Sequence, residues 1–345
     1  MKPVINMLST ADKVSGQGVG AAYLEQVALV KERLKDKYTV TVNAHGYADI
    51  THYHTINPTF YLRAKLARGR TKNVGYVHFL PETVQDSLQM PGFAKNVFYK
   101  YMLSFYRSMD RLVVVNPYFI ERLAAYGVKE DRVTYIPNFV SEEQFYKVSP
   151  QEKAALRKQY GIKEDAFVVL GVGQMQTRKG IFDFFDITES RPDITFVWAG
   201  GFSFGKMTAG YEQIKKRLEH KPENLVLPGI VDRSKMNEVY NLADVMFLPS
   251  FEELFPMSVL ESMNCRLPIL LRDIDLYKNI LFDYYQKATD VQGFTDIIDR
   301  LKSDPAFYEK AADDAWRGHV FYSKDHVASM WEELYDDVLR SCNRE

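Results

Sequence analysis

The chain has 345 residues, 46% hydrophobic and 26% charged, and a net charge of −1. That length suits two domains, and the composition is globular rather than disordered. The balanced charge carries no signal for nucleic acid, Cys265 and Cys342 make neither a disulfide framework nor a metal-ligand spacing, and no run reaches the ~18 apolar residues of a membrane span. The opening "MKPVINMLSTADK" lacks the apolar core of a signal peptide. A protein of the reducing cytosol, soluble or attached to a surface, is the expectation.

"PVINMLS" reads as a strand, "AAYLEQVALVKERLKD" as an amphipathic helix, and "YTVTVNA", "ITHYHTI" and "VGYVHFL" as further strands. A long aromatic helix follows, then the strands "RLVVVN" and "RVTYIPN". The rhythm repeats with "AFVVLGVGQ", "ITFVWAGG", "LVLPGIV", "VMFLPS" and "LPILLRD", with helical segments between them. Strands alternating with helices predict parallel sheets covered on both faces. The expected fold is α/β, two doubly wound Rossmann-like domains with an interdomain cleft. "FYKVSPQEK" reads as a linker, so the expected domains are 1–147 and 148–322, with 323–345 a closing amphipathic helix. Charge divides at the same point. Residues 1–147 hold 19 Lys+Arg against 13 Asp+Glu, and the remainder 25 against 32. The first half is therefore suited to something anionic, a membrane surface or a phosphorylated ligand.

Chemistry-bearing residues fall at strand ends. In "FEELFPMSVLESM", Pro256 suits a helix start, so the stretch from Phe255 through Pro256, Met257 and Ser258 to Val259, with an N–H on every residue but the proline, lies near a point that favours an anion. Glu261, just inside that helix, could hold a ribose hydroxyl or simply favour the helix dipole. Glu253, on the loop, is a site acid or a solvated one. "GVGQMQTRKG" follows a strand; Gly171 and Gly173 allow close approach, and Arg178 and Lys179 add two cations suited to a diphosphate. It is not a Walker loop. "VSGQGVG", with Gly16, Gly18 and Gly20, reads as a flexible turn into a helix, without the acid a hydride-cofactor site needs.

His52 and His54 alternate on one strand with Tyr53 opposite, and no carboxylate or cysteine stands at ligand spacing, so no metal is expected. His78 ends another strand, as a hydrogen-bonding group at the cleft floor or a satisfied core residue. In "MPGFAKNVFYKYMLSFYRSMDRL", Phe93, Phe98, Tyr101 and Phe105 are interleaved with Lys95, Lys100 and Arg107. That suits a helix at an anionic lipid surface or a core helix with charges outside. "YLRAKLARGRTK" adds a second basic patch.

Together these motifs resemble the family-4 retaining glycosyltransferases. "PSFEELFPMSVLESMNCRLPIL" resembles their acid-x7-acid signature, "VGQMQTRKG" their phosphate loop, "IPNFVSEEQF" the segment closing their first domain, and "SGQGVG" and Val77–His78 their first-domain glycine loop and histidine. The resemblance implies a GT-B fold, a nucleotide-sugar donor held by the second domain, an acceptor held by the first, retention of anomeric configuration, and no metal or other cofactor. It places Lys179 and Arg178 on the diphosphate, with Gly18 and Gly173 beside it, and Glu261 on the ribose. Ile230 and Val231 would meet the base, Glu253 with Phe255 to Ser258 the sugar, and His78 the transferred hexose. Catalysis would fall to His78, Glu253 and Lys179. Leu254, Pro256 and Arg266 stand where the family commonly has glycine, and Gln174 where it often has arginine. "INMLSTADKVSGQGVGAAYLEQV" and "YHTINPTFYLRAKLA" are similar to the Gram-positive glycolipid-synthesising members. These imply transfer of galactose or glucose from a UDP-hexose to α-glucosyl-diacylglycerol, in lipoteichoic acid anchor synthesis. The place would be the inner face of the plasma membrane. A soluble or capsule-type acceptor, and a non-enzymatic nucleotide-sugar-binding protein, remain alternatives at this level.

Overall fold

The computed structural model describes residues 2–10, 18–81, 92–202, 205, 208–253 and 255–341; side chains of 18–22 are not among them. The Gly16 loop segment, Leu254 and Cys342 lie outside the described residues. The chain forms two compact units, 1–139 with 324–345, and 140–323.

The first unit runs β1 (Val4–Leu8), α1 (Gly18–Arg33), β2 (Thr39–Val42), β3 (Ile50–Tyr53), α2 (Pro58–Leu66), β4 (Lys72–Val77), α3 (Gly92–Arg107), β5 (Arg111–Val114), α4 (Tyr118–Ala125) and β6 (Val133–Tyr135). Its six strands lie in the order β2-β1-β3-β4-β5-β6. Every pairing is parallel, for example Met7 opposite His52 and His52 opposite Val74. The central strands are buried on both faces, as sheets covered by helices require. Proline opens α2, where its missing N–H needs no acceptor.

The second unit runs α5 (Pro150–Gln159), β7 (Val168–Val172), α6 (Ile181–Ser190), β8 (Thr195–Ala199), α7 (Tyr211–Leu218), β9 (Leu225–Gly229), α8 (Met236–Leu242), β10 (Val245–Leu248), α9 (Met257–Asn264), β11 (Ile269–Arg272), α10 (Asp275–Lys278), β12 (Gln286–Ala288), α11 (Val291–Ser303) and α12 (Pro305–Phe321). Its sheet has the order β12-β11-β10-β7-β8-β9, again all parallel. Phe184, Phe196, Trp198, Phe247 and Phe294 fill one layer of its core. A capping box, Ser149 with Glu152, starts α5.

The first unit ends at Phe139 rather than Lys147, because the segment after it is anchored to α8. The amides of Tyr146 and Val148 donate to the side chains of Asn237 and Asn241, each at 2.9 Å, and Phe145 packs edge-on against Tyr240. The last helix, α13 (Lys324–Arg340), belongs to the first unit. Trp331 and Tyr335 are buried against β3 and β4 there, Tyr335 hydroxyl lies 3.0 Å from His52 Nδ1, and Lys37 pairs with Glu332 at 2.7 Å and Asp336 at 2.5 Å.

Candidate functional site

In the second unit the chain leaves β7 towards β8 on one side and β10 towards β11 on the other. The crevice at the carboxyl ends of such a strand pair is where open α/β sheets place ligands. The loop after β7 carries Gly173, Arg178 and Lys179; the loop after β10 carries Glu253 and leads into α9. The two loops are stitched together. The Phe251 amide donates to the Arg178 carbonyl at 2.8 Å, and the Arg178 guanidinium donates to the Glu252 carbonyl at 3.2 Å. Gly180, at φ 69°, packs so close to the Pro249 carbonyl that any side chain would overlap it. Glycine at 180 is thus what lets the cationic loop touch the acidic one.

At this junction the Lys179 ammonium pairs with the Glu253 carboxylate. Both side chains are largely buried, 13% and 7% exposed. Lys179 also lies against Gly173, whose carbonyl accepts from Trp198 Nε1 at 3.0 Å. Pro256 is the residue before α9, so the amides of Met257 and Ser258 open the helix without an acceptor four residues back, while the Val259 amide donates to the Pro256 carbonyl at 3.0 Å. Phe255 is buried edge-on against Tyr322, while Met257 and Ser258 are half-buried. Glu261 is 5% exposed and its two oxygens are both engaged. Oε1 accepts from Arg233 at 2.7 Å and Oε2 from the Tyr240 hydroxyl at 2.5 Å. Burial, followed by the Glu261 charge, holds the Tyr240 hydroxyl well above its usual pKa, so it stays a donor. Ile230 is 72% exposed beside Gly201, with Val231 half-buried next to it.

Arg233, Tyr240 and Arg272 were not foreseen. Arg272 is buried at the end of β11, bridges Asp183 to the carbonyls of Pro249 (3.0 Å) and Thr289, and lies 4.0 Å from the Phe251 ring centroid. It clamps the start of the Glu253 loop. An arginine closing the apolar run "PILLR" was the signal available.

In the first unit, Gly18 is the first residue of α1. His78 directly follows β4, is 9% exposed and stacks on Tyr76 at 4.4 Å. Among the described residues its Nε2 has no hydrogen-bond partner, and burial lowers its pKa to about 4. His52, His54, Tyr76 and Trp331 continue the ring stack. Among the described residues no cluster of three His, Cys, Asp or Glu could hold a metal.

The helix α3 divides the residues expected at a lipid surface. Phe93 is 82% exposed, and Lys100 and Arg107 are exposed, Arg107 donating to the Tyr126 carbonyl at 3.1 Å. Lys95 and Phe98 are half-buried, and Tyr101 donates to the Ile56 carbonyl. Phe105 is corrected: it is 1% exposed and packs on Tyr53 and Tyr61, so it belongs to the core. With Met102 and Met109 it lies on the inward stripe, three and four residues apart, opposite Phe93 and Lys100. No helix among the described residues is long and apolar enough to cross a membrane.

Residues 33–144 match the model of Glycosyltransferase Family 4, and residues 152–316 that of Glycosyl transferases group 1. The chain belongs to this glycosyltransferase family and is a hexosyltransferase of the GT-B fold. It is 45% identical, over 96% of its length and 89% of the relative's, to alpha-galactosylglucosyldiacylglycerol synthase of Streptococcus pneumoniae strain R6. It is 28% identical, over 94% of both chains, to processive diacylglycerol alpha-glucosyltransferase of Acholeplasma laidlawii. HepE of Anabaena, solved with UDP-glucose, shares the fold at TM-score 0.77 and 16% identity, covering 97% of this chain and all of that one. Sucrose-phosphate synthase of Thermosynechococcus elongatus does so at 0.79 and 16%, covering 99% and 100%.

Proposed function

We propose that this enzyme transfers galactose or glucose from a UDP-hexose to glucosyl-diacylglycerol at an anionic membrane surface, with retention and without a metal, as a step towards a lipoteichoic acid anchor. The observation that carries the reading is the similarity of nearly the whole chain to a relative named alpha-galactosylglucosyldiacylglycerol synthase. The site chemistry supports it. Breaking the sugar–phosphate bond leaves a nucleoside diphosphate whose charge needs fixed partners. Lys179 is such a cation, and the α9 amides are oriented dipoles at the same strand ends. The Lys179–Glu253 pair is then a resting arrangement: the diphosphate takes over the ammonium and Glu253 turns to the sugar. Glu261, held by Arg233 and Tyr240, presents a fixed carboxylate to a ribose. Arg178, Gly173 and Gly18 border the diphosphate, Ile230 and Val231 the base, Phe255 to Ser258 the sugar, and His78 the transferred hexose. Phe93, Lys95, Lys100 and Arg107 face the lipid surface.

The test is turnover of labelled UDP-glucose and UDP-galactose with diacylglycerol or glucosyl-diacylglycerol in anionic vesicles, with Glu253→Ala as control. One new glycolipid from one donor, absent with the variant, is the expected result. No transfer to either lipid by an enzyme that still binds UDP would sink the proposal.

A further inference from the structure

The segment that follows β11 carries a buried phenol. β11 pairs with β10, so α10 adjoins the loop that leaves β10 with Glu253. Tyr277 lies on α10 and is 0% exposed. Its amide donates to the Ile274 carbonyl at 3.1 Å, and its own carbonyl accepts from the Ile280 and Leu281 amides at 3.1 and 2.8 Å. Its ring packs edge-on against Tyr285, with centroids 5.9 Å apart. The side chain is therefore held in place before any ligand arrives. Yet among the described residues its hydroxyl has no hydrogen-bond partner.

A buried hydroxyl left unpaired costs free energy, and native folds keep few of them. Glu253 and Arg178 are both near enough for their charges to act on this one. Of the two, only the carboxylate can accept a hydrogen bond. Burial, followed by the Glu253 charge, holds the phenol above its usual pKa, so it remains a donor. In the free enzyme the carboxylate is taken by the Lys179 ammonium. Glu253 is only 7% exposed, so loss of that ammonium would strand a desolvated charge. A diphosphate entering beside Lys179 causes that loss, and the Tyr277 hydroxyl is a spare donor already in place. Being wholly buried, the phenol acts through Glu253 rather than on the sugar.

We propose that Tyr277 is a positioning residue for Glu253: its hydroxyl donates to the carboxylate once a diphosphate has drawn Lys179 away. That bond fixes the direction in which the carboxylate meets the sugar. The assignment rests on the reading of Lys179–Glu253 as a resting pair, given above, and names what replaces the ammonium.

The experiment starts from Tyr277→Phe, which removes the hydroxyl and keeps the ring. In the free enzyme its unfolding midpoint should equal or exceed that of the wild type, because the hydroxyl removed had no partner. Calorimetric titration with UDP should show affinity lower by about tenfold or more, the worth of a hydrogen bond to a charged group. In a Glu253→Gln background the same substitution should change UDP affinity by about twofold or less, since no charge is stranded there. A third arm uses no nucleotide. With Lys179→Met, Glu253 loses its cation in the free enzyme, so Tyr277→Phe should now lower the midpoint. Unchanged UDP affinity in the single variant, an equal loss in the Glu253→Gln background, or a lowered midpoint with Lys179 in place overturns the assignment. An unmoved midpoint in the Lys179→Met background overturns it as well. The two readings fail separately: a wild type that binds no UDP loses the nucleotide reading, while the Lys179→Met arm still decides whether Tyr277 serves Glu253.

Discussion

Replacing Arg272 with methionine tests how the Glu253 loop is held. The arginine side chain is 9% exposed and its guanidinium pairs with Asp183, whose side chain is 22% exposed. Breaking a buried ion pair from one side costs about 3–5 kcal/mol, since the surviving charge stays desolvated. Asp183 keeps some solvent and sits in the first turn of α6, where the helix dipole favours an acid. We therefore place the loss at the low end, about 3 kcal/mol. Met fills the space of the aliphatic stem but leaves the Pro249 and Thr289 carbonyls without their donor. Urea unfolding of the second unit's transition measures the loss. The double variant Arg272→Met/Asp183→Asn should be milder than the single one, because no net charge is stranded. Because Pro249 anchors the start of the Glu253 loop, KM for the UDP-hexose should also rise. A single-variant loss under about 1 kcal/mol, or a double variant no milder, would refute the clamp.

Gly200→Ala should abolish donor binding or soluble expression, since a Cβ at this φ of 145° would overlap the Gly173 carbonyl; normal UDP affinity by calorimetry would contradict it. Phe93→Asp with Lys100→Glu should reduce sedimentation with anionic vesicles several-fold without moving the unfolding midpoint, because both residues are exposed. The first unit should lose stability below neutrality. His78 and His52 have folded pKa values lowered to about 4 and about 3, below the unfolded value near 6.5, so the unfolded chain binds more protons between them. Their stabilisation is full above pH 6.5 and falls with pH by about 1.4 kcal/mol per unit for each ring as pH drops towards 4. Urea midpoints followed by Trp331 fluorescence at pH 7 and 5 measure this, and equal midpoints would contradict it.

The strands were legible because parallel sheets bury both faces, and "VMFLPS" or "VGYVHFL" can be little else at that length. The three-residue strand β12, Gln286–Ala288, was not, because an edge strand with lysine carries no apolar signature. The helix α2 was seen only as a basic patch, its exposed Leu62 and Leu66 blurring the stripe that marks a buried face. Glu253, Glu261, Arg178 and Lys179 were legible as a set because each follows a strand in an alternating pattern, and strand ends are where such folds place ligands.

By itself the sequence determined the class of fold, the order of the motifs and the types of charge at the strand ends, since these depend on local patterning along the chain. Only the tertiary structure decided the partners. That Lys179 meets Glu253, that Arg233 and Tyr240 hold Glu261, and that Arg272 reaches Asp183 are facts of the fold, whose sheet sets β10 beside β7 and β11 beside β10, joining residues 21 to 89 positions apart. The burial that keeps His54 and His78 neutral, and the packing that turns Phe105 inward while Phe93 faces out, arise in the same way. Desolvation is set by everything that packs around a residue, and neighbours distant in sequence leave no mark on its own stretch of chain.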